Sequence, residues 1–286
     1  MPCPDAPLTG PLAGFSCFAH THEGYEHAVY GIGDPGHPPV LVMHELPGLA
    51  GATLNFARRL GDAGFCVYLP HLFGDLLRDD WRGNYQRLCI SEEFARLAAG
   101  VSAPVTRWLR SLARRVSEDH GGATVGAVGM CLTGGFVIPL VLEHPVEAPV
   151  AAQPAVPFSQ AYAVLPLRKG PWARQLNVSD DDIRAAAGRM AREGLRMLTF
   201  RFKADRICVA DKIGRLRDEF GAQLEAHEYE SPWRLKPPHA VLTYEYDEAK
   251  DAGPDHPTRR AFARLVSFLH ERLDGGATPN RAPRVG

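Results

Sequence analysis

Residues 125–136 read VGAVGMCLTGGF, an apolar run that leads into a cysteine followed by a pair of glycines. The run has the composition of a buried strand, and residues 132–142 have the spacing of a helix. Free cysteine is among the most buried residue types, so Cys131 could be a small core residue. It could equally be a nucleophile held on a tight turn, and this stretch alone leaves both interpretations open.

The order of strand, G-x-C-x-x-G and helix is the layout of a nucleophile elbow. A sharp turn of this kind lifts the nucleophile above the sheet edge, and small neighbours such as Gly129 and Gly134 avoid clashes. The N-terminus of the next helix then lies beneath the sulfur, where it lowers a thiol's pKa and helps to hold an oxyanion. Thr133 departs from the pattern, since a small residue usually stands there.

Apolar strands alternate with helices along the rest of the chain. An N-terminal hairpin is predicted over GFSCFAH and EHAVYGI. The later strands are predicted at 38–45, 65–70, 123–130, 149–156, 196–202 and 222–230, and the helices at 52–63, 101–117, 132–142, 207–220 and 257–273. This alternation predicts an α/β fold with a mostly parallel twisted sheet and helices on both faces. Without a repeat or linker, residues 1–286 are expected to form a single domain.

Three stretches interrupt this rhythm. Residues 74–98 are charged and aromatic, and residues 154–182 contain four prolines and no clear period. Long irregular insertions of this kind are lids or binding walls about as often as they are plain surface loops. The tail 274–286 is rich in glycine and proline, and we expect it to be disordered.

The composition excludes several classes of function. Hydrophobic residues make up 45%, charged residues 23%, and the net charge is −1, which favours neither nucleic acid nor an anionic membrane surface. No apolar run approaches the roughly 18 residues of a membrane span, and the N-terminus has no signal-peptide character. The six cysteines form no CxxC pair, which favours reduced thiols and a cytoplasmic location. No metal-ligand spacing and no second glycine-rich turn occur, so neither a metal nor a cofactor is expected.

Candidate partners for Cys131 follow from chain order, because hydrolases with this elbow place the acid and then the histidine after the nucleophile. His239, in RLKPPHAVL, follows the last predicted strand. Asp205 comes three residues after the strand RMLTFRF, at the carboxyl end where open α/β sheets carry their sites. We therefore infer a Cys131–His239–Asp205 triad.

A further carboxylate, Glu45, stands at the end of the apolar strand PPVLVMHE. The following loop supplies the second oxyanion N–H in hydrolases of this layout. A charge in this place is costly unless it finds a partner. Glu45 therefore either faces solvent or takes part in the site.

Four segments together resemble the dienelactone hydrolase family over roughly residues 15–273: HELPGL, GMCLTGG, FKADRICV and PHAVL. The resemblance implies an α/β-hydrolase fold, a Cys–His–Asp triad, and a glutamate that contacts the resting thiol and helps to form the thiolate. Carried over residue by residue, it implies Cys131 as nucleophile, His239 as base, Asp205 as its orienting acid, Glu45 as the thiol's partner, and the N–H groups of Leu132 and Leu46 as the oxyanion hole.

The chain departs from the family where the substrate carboxylate is gripped. Members that act on dienelactones carry an arginine four residues after the catalytic histidine, and this chain has Thr243 there. Arg87, in YQRLCISEEF, is matched to the other carboxylate-binding arginine. Cations within the insertion 154–182 could replace the missing one; they are Arg168, Lys169 and Arg174.

The sequence therefore predicts a hydrolase with a thiol nucleophile, acting on small-molecule esters or lactones through a thioacyl-enzyme. A monomer or small homo-oligomer is expected. Two alternatives remain open, namely an acyltransferase or cyclase that uses the same site, and a member of the family that binds a ligand without turnover.

Overall fold

One eight-stranded sheet forms the centre of the chain. The computed structural model describes Cys3 and residues 7–79, 104–155, 171–231 and 237–274. The strands are β1 Ser16–His22, β2 Tyr25–Ile32, β3 Pro39–Met43, β4 Cys66–Pro70, β5 Val125–Met130, β6 Val146–Ala152, β7 Met197–Phe202 and β8 Leu224–Tyr229. Their spatial order is β1-β2-β4-β3-β5-β6-β7-β8.

The two ends of the sheet are built differently. The predicted hairpin is present, since β1 and β2 are antiparallel and turn at Glu23 and Gly24, which both have positive φ. Strand β2 is also antiparallel to β4, whereas every pairing from β4 to β8 is parallel. The predicted mostly parallel sheet is therefore confirmed. Because all of these parallel strands end at the same edge, residues that follow them converge there.

Helices cover both faces of the sheet. They are α1 Gly51–Asp62, α2 Pro104–Asp119, α3 Val137–Leu140, α4 Asp180–Glu193, α5 Ala210–Phe220, α6 Tyr244–Glu248 and α7 Pro257–Leu273. Alternate residues of β3 show the two layers, because Val40 packs with α1 and α7 whereas Leu41 packs with α2 and α3. A separate apolar cluster joins α4 and α5 beside β6 and β7. The central strands are thus apolar on both sides, as parallel strands require.

The segment after Cys131 differs from the prediction of one long helix over 132–142. A 3-10 turn spans Cys131–Phe136, and α3 adds only Val137–Leu140. Two adjacent glycines have low helix propensity, and Pro139 offers no N–H to a longer helix. The predicted strand and glycine-rich turn are therefore present, but the helix that follows the turn, α3, is short.

Two predicted boundaries at the 154–182 insertion are also wrong. The strand predicted at 149–156 is β6 Val146–Ala152, which ends where Gln153 turns to a φ of 33°. Helix α4, where no helix was predicted, begins inside the insertion at Asp180. The Ser179 side chain caps it, and the three acids in its first turn interact favourably with the helix dipole. The stretches 80–98 and 156–170, which carry most of both predicted insertions, lie outside the described residues, as does the tail from 275.

The cysteines correct one expectation. Cys3 and Cys17 form a disulfide that ties the N-terminal segment to β1, whereas all six thiols were predicted to be reduced. The pairing joins two positions 14 residues apart, and no CxxC spacing marks it. Cys66, Cys131 and Cys208 are free and buried. Within the described ranges, no helix has both the length and the apolar character needed to cross a membrane.

Candidate active site

Cys131 lies at the carboxyl end of β5, between β3 and β6 in the sheet. Its φ is 52°, in the left-handed region that residues with a side chain rarely adopt. The side chain belongs to the lining of a cavity of about 540 Å³. A strained backbone at a strand-to-helix turn beside a cavity is the geometry of a nucleophile elbow. This favours the nucleophile over the buried structural cysteine.

The glycines of the elbow are required by close approaches of backbone. A Cβ on Gly129 would lie 2.3 Å from the Thr133 carbonyl oxygen, and one on Gly135 would lie 1.8 Å from the Leu176 carbonyl oxygen. Thr133 departs from the usual pattern for a structural reason. Its hydroxyl lies 3.0 Å from the Met43 carbonyl oxygen and accepts a hydrogen bond from the Met130 N–H, which fastens the turn to β3.

The steric requirement at Gly129 leads to a stability prediction. Gly129→Ala is expected to lower the unfolding free energy by about 2 kcal/mol or more, because a backbone carbonyl blocks the new methyl group. Gly214→Ala, in α5, is the matched control, since the atom nearest to the new Cβ would be Arg174 Nη1 at 3.8 Å. Gly214→Ala should raise the unfolding free energy by about 0.5–1 kcal/mol, because alanine has a higher helix propensity than glycine. Urea unfolding of the two variants measures both effects, and equal stabilities would contradict the account of the elbow.

His239 and Asp205 form a hydrogen-bonded pair. The His239 Nδ1–H donates to Asp205 Oδ2 at 2.7 Å. Asp205 Oδ1 accepts the N–H groups of Ile207 and Cys208 at 2.7 and 2.9 Å, so the turn after β7 fixes the carboxylate. Burial lowers the pKa of His239, but the charges of Asp205 and Cys131 outweigh it and hold that pKa well above its usual value. The pair is therefore set up to stabilise a protonated imidazole.

Glu45 follows β3 and is only 1% exposed, so the alternative that it points into solvent is wrong. Its Oε1 accepts a hydrogen bond from the Thr243 hydroxyl, and its Oε2 accepts one from Gln153 Nε2 at 3.3 Å. Burial raises the pKa of the Glu45 carboxyl, although His239 and these two donors act in the opposite direction. Both donors are neutral, and they hold the carboxyl group in one orientation.

The side chains of Glu45, Cys131 and His239 lie close together. A carboxylate oxygen of Glu45, the sulfur of Cys131 and a ring nitrogen of His239 all lie within 4.8 Å of one another. Among the described residues they form the one cluster of three such side chains that could hold a metal ion. Leu46 lines the same cavity, and Leu132 follows Cys131 directly. The predicted triad residues, Glu45 and the two oxyanion candidates thus converge on one edge of the sheet.

Two contacts of Glu45 were missed in the sequence. Gln153 was placed within a strand and Thr243 was considered only as the position of an absent arginine. Gln153 carries the same signal that identified Glu45, a polar side chain at the carboxyl end of an apolar strand. The role of Thr243 could not be found in this way, because the contact joins positions 198 residues apart.

His44 is a third missed residue, and it supports the loop that carries Glu45. The Leu72 N–H donates to His44 Nε2 at 3.0 Å, so the ring proton is on Nδ1, which lies 3.3 Å from the Glu45 carbonyl oxygen. Burial, reinforced by His71, lowers the pKa of His44 to about 3. The ring therefore stays neutral and links the β3 loop to the segment after β4.

The predicted cations do not complete a carboxylate clamp in the part of the chain that is described. Arg87, Arg168 and Lys169 lie outside the described residues. Arg174 pairs with Asp218 of α5 at 2.5 Å. The described residues that line the cavity include the carboxylates Asp79, Glu245 and Glu248, and no lysine or arginine.

The sheet order, the elbow after β5 and the convergent side chains define the class, a hydrolase of the α/β-hydrolase fold. The family model of the dienelactone hydrolase family matches residues 28–196, which is more than half of the chain. The protein belongs to the dienelactone hydrolase family.

Solved structures agree on the fold. A dienelactone hydrolase-like promiscuous phosphotriesterase from metagenomic libraries is 17% identical with a TM-score of 0.58, covering 91% of this chain and 98% of that one. A cold-adapted esterase from an Arctic intertidal metagenomic library is 13% identical with a TM-score of 0.59, covering 90% and 93%. An esterase of Pyrococcus furiosus is 10% identical with a TM-score of 0.59, covering 96% and 100%. No curated protein sequence matches this chain.

Proposed function

We propose that the protein hydrolyses neutral carboxylic esters or lactones of small molecules, with Cys131 as the nucleophile. The observation that carries the proposal is the convergence of Cys131, His239 and Glu45 within 4.8 Å, with Asp205 bonded to the far side of the His239 ring. A nucleophile, a base and an orienting acid are the parts that acyl transfer to a side chain needs. Family membership supports the same reaction class.

In the first half of the reaction, the Cys131 thiol gives its proton to His239, either directly or through Glu45. The thiolate attacks the carbonyl carbon, and the carbonyl electrons move to oxygen. The N–H groups of Leu132 and Leu46 stabilise this oxyanion. Collapse of the intermediate breaks the bond to the leaving alkoxide, which takes the proton from His239, and a thioester remains on Cys131.

In the second half, His239 removes a proton from water, which attacks the thioester carbonyl. The oxyanion forms and collapses again, the carboxylic acid leaves, and the Cys131 thiolate recovers its proton. Asp205 holds the His239 ring with Nε2 free for both transfers and stabilises the imidazolium.

The charge of the cavity leads to a prediction about substrates. A charge-assisted hydrogen bond contributes about 1.5–3 kcal/mol, and the described residues that line this cavity supply carboxylates and no cation. We expect kcat/KM for p-nitrophenyl butyrate to exceed that for mono-p-nitrophenyl succinate by about tenfold or more. The two esters share a leaving group and differ in the terminal carboxylate. A preference for the succinate, or for cis-dienelactone, would contradict this and would implicate Arg87, Arg168 or Lys169.

Restoring the family arginine at position 243 is not expected to create a clamp. Thr243 is fully buried and its hydroxyl bonds to Glu45, so an arginine has no free space there and removes a contact of Glu45. The sequence suggested an empty place for a substrate-binding arginine at position 243, but Thr243 and its contact with Glu45 fill that place.

Selective alkylation tests the proposed nucleophile. Iodoacetamide at substoichiometric dose should modify Cys131 before Cys66 and Cys208, and loss of esterase activity should follow the fraction of Cys131 modified. Peptide mass spectrometry measures the first and a p-nitrophenyl ester assay the second. Full activity after complete Cys131 modification would overturn the proposal. A labelled acyl group that stays on Cys131 without release would favour the ligand-binding alternative, and its passage to an added alcohol would favour an acyltransferase.

We also propose a cytoplasmic location and a monomer or small homo-oligomer. The free thiols of Cys66, Cys131 and Cys208 support the location, and the Cys3–Cys17 disulfide is the observation against it. Cell fractionation with an antibody tests the location, and light scattering of the purified protein tests the assembly.

A further inference from the structure

We propose that Glu45, Cys131 and His239 form a binding site for a zinc-class divalent ion, and that this ion reversibly blocks the active site. The three side chains offer a thiolate sulfur, an imidazole nitrogen and a carboxylate oxygen, which are the donors that Zn²⁺ prefers. They come from the ends of β3 and β5 and from the loop after β8, so no ligand spacing in the sequence could show them.

The distances suit a zinc ion. Its bonds to sulfur, nitrogen and oxygen donors measure about 2.0–2.3 Å, so neighbouring ligands in a tetrahedral site lie roughly 3.5 Å apart. The three donor atoms here all lie within 4.8 Å of one another. The three side chains would therefore move closer together when the ion binds. The fourth position faces the cavity and is open to water.

The surroundings already orient the ligands. Asp205 accepts the Nδ1–H of His239 at 2.7 Å, which directs Nε2 towards the site and reproduces the carboxylate–histidine arrangement of zinc centres. Thr243 and Gln153 hold the two oxygens of Glu45. The His239 Nε2 atom is itself buried, and the polar group that lies beside it is the Cys131 thiol, another of the three proposed ligands. A metal ion that binds both atoms would replace the proton between them.

The charges also balance. A thiolate and a carboxylate neutralise a divalent cation, so the filled site adds no net charge to a buried region. The proton shared by Cys131 and His239 leaves to solvent, as does any proton on Glu45, and the ion takes their place. The bound ion occupies the lone pairs of both the nucleophile and the base. Its effect is therefore inhibition.

Cobalt titration of the metal-free protein, prepared with EDTA, tests the site without any turnover. Co²⁺ should bind at one ion per chain, with a thiolate-to-cobalt charge-transfer band and the visible bands of four-coordinate cobalt. Zn²⁺ should displace it, inhibit ester hydrolysis competitively, and be removed by EDTA with recovery of activity. Cys131→Ser should remove the charge-transfer band. Asp205→Asn should weaken binding about 10–100-fold through the orientation of His239.

Cys66→Ser is the control, because Cys66 is a free buried cysteine of β4 that is not among the three donors. It should keep both the band and the affinity, and circular dichroism should show that each variant is folded. Glu45→Gln is a second ligand variant and should also weaken binding. It serves as the test of the site if Cys131→Ser does not fold. No saturable binding, or a band that survives Cys131→Ser, would overturn the site. Because cobalt binding needs no substrate, its failure would leave the proposed hydrolysis intact, and inactivity on esters would leave the metal site intact.

Discussion

Cys131→Ala is expected to lower kcat for p-nitrophenyl butyrate on the order of 10⁴-fold while the protein remains folded. Members of a nucleophile–base–acid unit act together, so removal of the nucleophile leaves only the oxyanion hole and substrate binding. The change removes one sulfur atom from the cavity wall. Stopped-flow or steady-state release of p-nitrophenol measures the effect, and thermal unfolding checks the fold.

The matched control for this variant is Cys66→Ala. Cys66 is as buried as Cys131 but lies at the start of β4, and it is not among the residues that line the cavity. The Cys66→Ala variant should keep kcat within about twofold of the wild-type value. It should lose a small amount of stability, as a core substitution away from the active site does. Turnover near the wild-type value in Cys131→Ala would remove Cys131 from the mechanism.

Glu45→Gln is expected to lower kcat on the order of 10²-fold, the typical contribution of a positioned acid–base group. The amide has nearly the same shape. Its oxygen can still accept from the Thr243 hydroxyl, and its NH2 group can donate to Gln153 Oε1 once the Gln153 amide turns over, so the loss reports proton transfer. Burial raises the Glu45 pKa, which keeps the carboxyl protonated to higher pH than an exposed glutamate. The carboxylate form appears only as the pH rises through that raised pKa. The acid limb of kcat/KM, measured in buffer with EDTA, should therefore lie above the ordinary glutamate range and should shift in the variant.

The same pKa shift sets the sign of the stability change. A carboxyl whose pKa is raised by folding stabilises the native state below its unfolded pKa, and this contribution is lost as the pH rises through the folded pKa. At neutral pH, Glu45→Gln should therefore unfold no more easily than the wild type. A variant with lower stability and unchanged specific activity would leave Glu45 a structural carboxylate.

Glu143→Gln is the contrasting control for Glu45. Glu143 is also a buried carboxylate, but Arg110 and Arg114 each contact it at 2.6 Å, and it is not among the residues that line the cavity. Its removal leaves two arginines without their carboxylate partner and should cost stability without changing specific activity. Opposite outcomes at two buried glutamates separate a role in proton transfer from a role in folding.

The sequence predicted the parts of the site that depend on local pattern. Gly129 lies in β5 and Cys131 follows its last residue, and Glu45 and Asp205 come two and three residues after β3 and β7, so parallel strands carry them to a common edge. The contacts of Glu45 with Gln153 and Thr243 depend on the packing of separate segments, as does the Cys3–Cys17 bond, and no periodicity encodes these. The helix after Cys131 was predicted too long because its apolar spacing outweighed Gly134, Gly135 and Pro139.

Acid-quench mass spectrometry during turnover of p-nitrophenyl butyrate tests the central claim most directly. The account predicts a butyryl group on the peptide that contains Cys131, formed within the first turnover and lost as hydrolysis proceeds. Asp205→Asn should release it more slowly, because His239 is then poorly oriented to activate water, and Cys131→Ala should never form it. A butyryl group on another residue, or continued hydrolysis with Cys131 unmodified at every quench time, would contradict the account.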